Sequence, residues 1–194
     1  FDYSDHTVIR GITFHDVNRA IGVGGWCTAV VQNCDFLDNS TPPFPNVFGG
    51  AIDAGSHQDL TIEDCTFVRN RSTGEGGEGG AISLAGMRTT IRRCRFEENE
   101  ATNRGGAVFD YGDNTSLEDC IFVRNRSYNG AAVSLVGTGP VIRGSTFYGN
   151  ETTWSDGAAI EVEWGGATFE RCIVAGTVNG FGMGCWGSAG TACF

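Results

Sequence analysis

Lysine is absent from this sequence, because all 13 of its basic side chains are arginines. The absence excludes reactions that need a lysine amine, such as Schiff-base formation. Proline is scarce, with only four residues in 194, whereas disordered tails are commonly rich in proline. No apolar run approaches the ~18–20 residues that a membrane-spanning helix requires. The sequence also has no C-x-x-C pair, and without one a zinc site is not expected.

Negative charge is in excess, and the formal net charge is −10. Surfaces that bind phosphate carry clustered positive charge, so a nucleic acid partner is not expected. A chain of 194 residues is long enough for one domain with a substantial core, and we assign residues 1–194 to a single domain. Eight cysteines would be typical of a chain exported to an oxidising compartment.

One segment of the form Φ-x-x-C-x-F-x-x-N, where Φ is apolar, recurs along the chain. Within each copy apolar and polar residues alternate, and a period of two predicts a β-strand. Ser145 takes the cysteine position in the sixth copy. The recurring residues are Phe36, Phe67, Phe96, Phe122 and Phe147; Cys34, Cys65, Cys94, Cys120 and Cys172; and Asn39, Asn70, Asn99, Asn125 and Asn150.

A second phrase, G-G-A-Φ, follows each variable loop, as at Gly49–Ile52, Gly79–Ile82 and Gly105–Val108. Paired glycines allow a sharp turn without a Cβ clash, so we interpret the phrase as a corner. From its alanine to the next Φ the distance is always ten or eleven residues, while the loop before it varies. A fixed side and a variable side are typical of coils stacked in register. We therefore predict an all-β fold, a right-handed parallel β-helix of about seven coils.

Stacking in register would place the cysteines in one inward column, which we interpret as a small apolar stack. Disulfides or a metal are the alternatives for this column, and any bridge is most plausible among Cys27, Cys185 and Cys193. We expect the asparagine column to bond backbone groups at a turn. Because Asn39, Asn70, Asn125, Asn150 and Asn114 each begin an N-x-S/T triplet, glycosylation is the alternative for those residues.

Charged residues at three positions beside each phenylalanine alternate in sign from one copy to the next. Opposite charges stacked on each other would attract, and a slip by one coil would place like charges together. The alternation therefore predicts ion-pair columns that specify the register. The columns are Glu63, Arg92, Glu118, Arg143 and Glu170; Asp38, Arg69, Glu98 and Arg124; and Arg71, Glu100, Arg126 and Glu151.

Catalysis is the alternative function, because parallel β-helices include enzymes that cleave polysaccharides with clustered carboxylates. The acidic residues in the position after G-G-A-Φ are Asp53 and Glu161, four coils or roughly 19 Å apart. That distance is too long for one bond, so we expect no catalytic, cofactor or metal site. Aromatic residues could instead form a glycan-binding face on this side, with packing as their other explanation; they are Phe109, Tyr111, Tyr128, Trp154 and Trp164.

The F-x-x-N and G-G-A-Φ phrases together resemble the passenger repeats of chlamydial polymorphic outer membrane proteins. This resemblance covers nearly the whole chain and implies a cell-surface adhesive or structural passenger, exported by an autotransporter route. We expect a non-catalytic extracellular solenoid that contacts proteins, glycans or its own copies through the loops Ser40–Phe48 and Arg71–Gly77. Neither end shows a cap, so we expect either a piece of a longer solenoid or a unit of a head-to-tail filament.

Overall fold

A computed structural model describes residues 6–25, 27–42, 44, 47–154, 157–164 and 166–186. In coils 1–3 the strands are β1 (His6–Arg10), β2 (Thr13–His15), β3 (Ile21–Val23), β4 (Cys27–Gln32), β5 (Asp35–Leu37), β6 (Ile52–Ala54), β7 (His57–Glu63), β8 (Thr66–Val68), β9 (Arg71–Ser72) and β10 (Ile82–Leu84). In coils 4 and 5 they are β11 (Arg88–Arg92), β12 (Arg95–Glu97), β13 (Glu100–Ala101), β14 (Val108–Asp110), β15 (Thr115–Glu118), β16 (Ile121–Val123), β17 (Arg126–Ser127) and β18 (Val133–Leu135). In coils 6 and 7 they are β19 (Val141–Arg143), β20 (Thr146–Tyr148), β21 (Glu151–Thr152), β22 (Ala158–Glu163), β23 (Thr168–Glu170), β24 (Ile173–Ala175) and β25 (Phe181–Trp186).

Strands at equivalent places in successive coils pair with each other and form four sheets. Sheet A contains β1, β4, β7, β11, β15, β19 and β23, and sheet B contains β2, β5, β8, β12, β16, β20 and β24. The short sheet C contains β9, β13, β17 and β21, and sheet D contains β3, β6, β10, β14, β18, β22 and β25. All the pairings are parallel, as between β8 and β12. The prediction of an all-β parallel solenoid with about seven coils is therefore confirmed.

The phenylalanines of sheet B lie directly over one another inside the solenoid. Phe67 is the register partner of Phe36 and of Phe96, and all three are fully buried. Consecutive ring centroids from Phe36 to Phe147 are 4.6–4.8 Å apart with nearly parallel planes. This spacing equals the distance between neighbouring strands in a sheet, so each ring packs on the ring of the next coil.

The asparagines that follow these phenylalanines form a continuous buried hydrogen-bond ladder. The Nδ2 of Asn99 donates to the carbonyl of Phe67 and to the Oδ1 of Asn125, at 3.0 Å in both cases. Its own Oδ1 accepts from the backbone N–H and the Nδ2 of Asn70. All the donors and the acceptor of the amide are thus used, which a buried amide requires. Asn39, Asn70, Asn125 and Asn150 are equally buried, so their side chains are closed to a glycosyltransferase in the folded chain.

The cysteines that immediately precede the strands of sheet B also form a column in the interior. Cys34, Cys65, Cys94 and Cys120 are at most 2% exposed and carry free thiols, and Ser145 lies next in the column. Hydrogen bonds with the Cys120 and Cys65 thiols, together with burial, raise the pKa of Cys94. Free thiols are also present at the half-buried Cys27 and Cys172. Cys185 is disulfide-bonded, and Cys193 lies outside the described residues.

We expect the four thiols Cys34, Cys65, Cys94 and Cys120 to resist a thiol reagent such as Ellman's reagent while the protein is folded. Attack requires an accessible thiolate, and these sulfurs are buried between coils. The half-buried Cys27 and Cys172 should react first, and all six should react in denaturant as the control. Mass spectrometry after timed labelling measures the reaction. Rapid labelling of all six thiols in the native protein would contradict the buried column.

The alternating charges form ion pairs between coils, as the sequence predicts. Arg69 donates to both oxygens of Asp38 at 2.7 and 2.8 Å. The other pairs in these columns are Arg92–Glu63 at 2.5 Å, Arg143–Glu170 at 2.8 Å, Arg124–Glu98 at 3.1 Å, Arg126–Glu100 at 2.8 Å, Arg126–Glu151 at 3.7 Å and Arg71–Glu100 at 3.8 Å. Exposed pairs of this kind contribute little stability each, and their value is that they favour one register over its alternatives.

Candidate functional site

The outer face of sheet D carries the residues that the sequence indicates for chemistry. Its outward column runs through Asp53, Ser83, Phe109, Ser134 and Glu161, one from each successive coil. The structure therefore keeps Asp53 and Glu161 four rungs apart, ~19 Å at the usual strand spacing. These two carboxylates do not share a site.

Each of the two carboxylates is held by its own neighbours. The Oε2 of Glu161 accepts a hydrogen bond from the Ser134 hydroxyl at 2.6 Å, and its Oε1 accepts from Asn129. Glu161 is 1% exposed, and this burial raises its pKa. Asp53 pairs with Arg19 at 3.3 Å, and burial raises the pKa of Asp53 as well. Glu161 is therefore closed to a large substrate.

A row of side chains from the corner before sheet D covers part of its outer face. These residues immediately precede the first corner glycine, and we call them the roof: Phe48, Glu78, Arg104 and Asn129. Backbone β-bridges join Glu78 to Arg104 and Arg104 to Asn129 in successive coils. Sequence reasoning missed the roof, although its position directly before G-G-A-Φ is constant. The four side chains in that position differ in chemistry, so the sequence shows no recurring residue type there.

The roof and sheet D enclose a cleft of about 370 Å³. Its polar end is an ion pair in which Arg104 contacts both oxygens of Glu163, at 3.0 Å each. Glu78 lies beside this pair, accepts a hydrogen bond from Asn103 at 3.1 Å, and has its pKa raised by burial. A cleft of this volume with few polar groups is within the usual range for ligand sites.

Three of the five aromatic residues indicated by the sequence meet in this cleft, namely Phe109, Tyr111 and Trp164. Phe109 is nearly buried, whereas Tyr111 and Trp164 are 66% and 69% exposed. Tyr128 and Trp154 do not line the cleft and instead stack on each other, with ring centroids 5.5 Å apart. The five aromatic residues, for which the sequence left a glycan-binding face and packing as alternatives, are therefore divided between a cleft and a separate stacked pair.

The two variable loops pack against each other beside coils 2 to 4. The Ser72 hydroxyl of the second loop donates to the carbonyl of Val47 in the first loop at 3.1 Å. The second loop also contacts coil 4, where Thr102 donates to the carbonyl of Gly74 at 2.7 Å. Phe44 is 63% exposed on the first loop. Residues 43, 45 and 46 of that loop lie outside the described part of the chain. The loops thus form one contact surface rather than two separate ones.

Asp110 occupies an unexpected place, inside the core of sheet D. Its register partners in the neighbouring coils are Leu84 and Leu135, so the carboxyl interrupts an aliphatic column. One oxygen accepts from the Gly112 N–H at 2.8 Å, and the other is buried without a hydrogen-bond partner. Burial raises the pKa of Asp110 to about 6.

We expect Asp110→Asn to remove a pH dependence from stability. The pKa of Asp110 rises from 3.8 to about 6 on folding, so the folded protein binds more protons between these values. This group therefore stabilises the fold at low pH, and its contribution is lost as pH rises through about 6. Relative to wild type, the variant should gain up to ~3 kcal/mol of unfolding free energy between pH 4 and pH 7.

Urea unfolding of both proteins at several pH values measures this difference. Other carboxyls affect both proteins alike, so the comparison isolates Asp110. A constant difference across the range would show that the buried carboxyl keeps its ordinary pKa. Asp113→Asn on the neighbouring exposed turn is the matched control, because hydrogen bonds from Thr138 lower the pKa of Asp113 and should give a trend of opposite sign.

Comparison with known proteins gives one family and one relative. Residues 51–192 match the family model described as "Right handed beta helix region". A protein named "Probable autotransporter YfaL" from Escherichia coli (strain K12) is 33% identical over 87 residues. That match spans 41% of this chain and 7% of the relative. No solved structure gives a significant match. Across the described residues, no helix has the length and apolar character needed to cross a bilayer.

Proposed function

This chain belongs to the right-handed β-helix family, and from that premise we propose that it is a non-catalytic, surface-displayed or secreted passenger segment with an adhesive role. The short match to a probable autotransporter supports the location. We also propose that the chain is related to the passenger repeats of chlamydial polymorphic outer membrane proteins. The F-x-x-N and G-G-A-Φ repeats support this relationship. Under this proposal the seven coils form a rigid spacer that presents the loops.

The observation that carries the proposal is that the polar and charged side chains bond to side chains of neighbouring coils and so hold the coils together. The amides of the asparagine ladder bond one another, and the arginines pair with carboxylates of neighbouring coils. The two carboxylates considered for catalysis are four rungs apart and separately bonded. This arrangement favours a scaffold over an enzyme.

Display and adhesion can be tested by fusing the chain between a secretion signal and an autotransporter translocator. Cells carrying the fusion should expose the solenoid to antibody and should adhere to epithelial monolayers more strongly than cells carrying the translocator alone. A loop variant, Phe44→Asp, should reduce adhesion without changing display, while Tyr148→Asp on sheet B is the matched control. Display without any gain in adhesion would overturn the adhesive role.

A separate assay tests the non-catalytic part of the proposal. Purified chain incubated with acidic and neutral polysaccharides should release no reducing ends. Release that disappears in Asp53→Asn or Glu161→Gln would overturn the proposal in favour of a polysaccharide-cleaving enzyme. Sedimentation velocity on the same material distinguishes a monomeric spacer from a head-to-tail filament.

A further inference from the structure

The cleft under the roof continues into two further clefts along sheet D. A second cleft of about 300 Å³ shares Ala85 and Tyr111 with it. A third, of about 400 Å³, shares Ser56 with the second and reaches Gly24 in coil 1. Together the three form one groove, which we call the axial groove, running from Trp164 in coil 6 to coil 1. Five rungs at the usual spacing give it a length of ~24 Å.

The shape of the axial groove favours a linear ligand. Its far part is lined mainly by small residues, including Gly22, Gly24 and Gly55, and its middle part combines Ala85 with the larger side chain of Met87. Two large exposed aromatic residues stand two coils apart: Tyr111 lies between the first and second clefts, and Trp164 lies in the first. A ligand of repeating units lying along the axis could contact both rings and also lie on the open surface that the small residues form.

The charge of the groove excludes a polyanion. Four carboxylates line it, from Asp53, Glu78, Asp113 and Glu163. Two arginines, Arg19 and Arg104, pair with two of these carboxylates. Two negative charges therefore remain in excess, and the whole chain carries −10. A polyuronate or a sulfated polymer would be repelled.

A peptide strand is a poorer fit than a sugar chain. Peptides that add to a sheet bind along an unpaired edge strand. The axial groove instead runs over the outer face of sheet D and the turns that follow its strands, and β6, β10, β14, β18 and β22 are paired on both sides. Uncharged sugar rings need no such edge, because their apolar faces can stack on aromatic rings while hydroxyls bond to carboxylates and amides.

We propose that the axial groove binds a linear, uncharged polysaccharide without cleaving it. The inference rests on the proposed adhesive function, adds the groove to the loops as a second contact surface, and names the class of surface molecule that the groove recognises. Tyr111 and Trp164 supply the stacking surfaces, and Glu78 and Asp113 supply hydrogen-bond acceptors. Ligand affinity should rise with chain length until the groove is filled.

Binding can be measured by tryptophan fluorescence and by calorimetry with neutral hexasaccharides of β-1,4-linked glucose, β-1,4-linked N-acetylglucosamine and α-1,4-linked glucose. Hexagalacturonate is the anionic probe. At least one neutral hexasaccharide should bind, its dimer should bind more weakly, and hexagalacturonate should bind at least tenfold more weakly than the best neutral probe. Tyr111→Ala and Trp164→Ala should each lower affinity about tenfold.

Tyr148→Ala is the matched control, because Tyr148 is 57% exposed on sheet B and lies outside the groove. Urea midpoints of all variants establish that the fold is intact. Tighter binding of hexagalacturonate, no binding of any neutral probe, or equal binding by the groove variants and the control would overturn the inference. Adhesion of displaying cells that persists in Trp164→Ala would reject the groove as the adhesive site and leave the proposed function standing.

Discussion

Gly80→Ala is expected to destabilise the solenoid by about 3 kcal/mol or more, although it adds a single methyl group. A Cβ at Gly80 would lie 2.1 Å from the carbonyl oxygen of Gly106 and 2.6 Å from that of Glu100. Both oxygens belong to the backbone of the next coil, whose position is fixed by pairing in the sheets. The methyl group can be accommodated only if the coils separate or the corner changes its path.

The neighbouring coils show how general this constraint is. Gly50 and Gly106 occupy the same position, and a Cβ on either would also lie 2.1 Å from a backbone oxygen. In these coils the N–H of the second glycine donates to the first glycine of the next coil, as from Gly80 to Gly105. Coil 5 has Ala131 here, and its N–H donates instead to Ala158. The altered bonding accompanies the alanine at this position, and coil 6 also has an alanine here, at Ala158.

Gly55→Ala provides the control for this prediction, because a Cβ at Gly55 would meet no atom within 4 Å. Urea unfolding followed by circular dichroism measures both variants. We expect Gly55→Ala to unfold within ~0.5 kcal/mol of wild type. Equal stabilities for Gly80→Ala and Gly55→Ala would show that the coils are not packed backbone to backbone at the G-G-A-Φ corner.

Phe96→Ala is expected to cost about 3–5 kcal/mol of unfolding free energy. Phe96 is fully buried, and its ring lies 4.8 Å from that of Phe67 and 4.7 Å from that of Phe122. Removal leaves a cavity inside the column and ends two ring contacts at once. The coils cannot collapse into this cavity, because the strands on both sides keep the spacing of the sheet.

Tyr148→Ala is the comparison for this second prediction, since it also removes an aromatic ring from sheet B. Tyr148 points outward and is 57% exposed, so its loss should change stability by no more than ~0.5 kcal/mol. Denaturant midpoints of the two variants give the comparison. A similar loss in both would mean that Phe96 is not an interior residue.

The columns were predictable because they consist of like residues at a fixed offset. The same sequence spacings separate phenylalanine, cysteine and asparagine in each copy of the repeat. In a parallel stack, this spacing places each residue against the same residue type in the next coil. The charge columns were predictable for the same reason. Alternating signs such as those of Asp38 and Arg69 stabilise the fold only if the residues lie next to each other in neighbouring coils.

The cleft and the buried carboxyl were not predictable by the same reasoning. Phe48, Glu78 and Arg104 share a position but no chemistry, and the loops before them differ in length. Asp110 could have been located by counting two residues from Val108, which gives the same place as Leu84 and Leu135. A repeat reveals what is shared between coils, whereas a binding site depends on what differs between them.

Pulsed electron paramagnetic resonance tests the in-register stack most directly. His15, Val123, Tyr148 and Ala175 lie in one outward column of sheet B, on coils 1, 5, 6 and 7. Spin labels introduced through non-natural amino acids at His15 and at each of the other three should give backbone separations of ~19, ~24 and ~29 Å. Equal increments of ~5 Å per coil, despite unequal sequence separations, are the predicted result. Increments that differ from coil to coil, or a distance that fails to grow, would contradict the superposition of the coils.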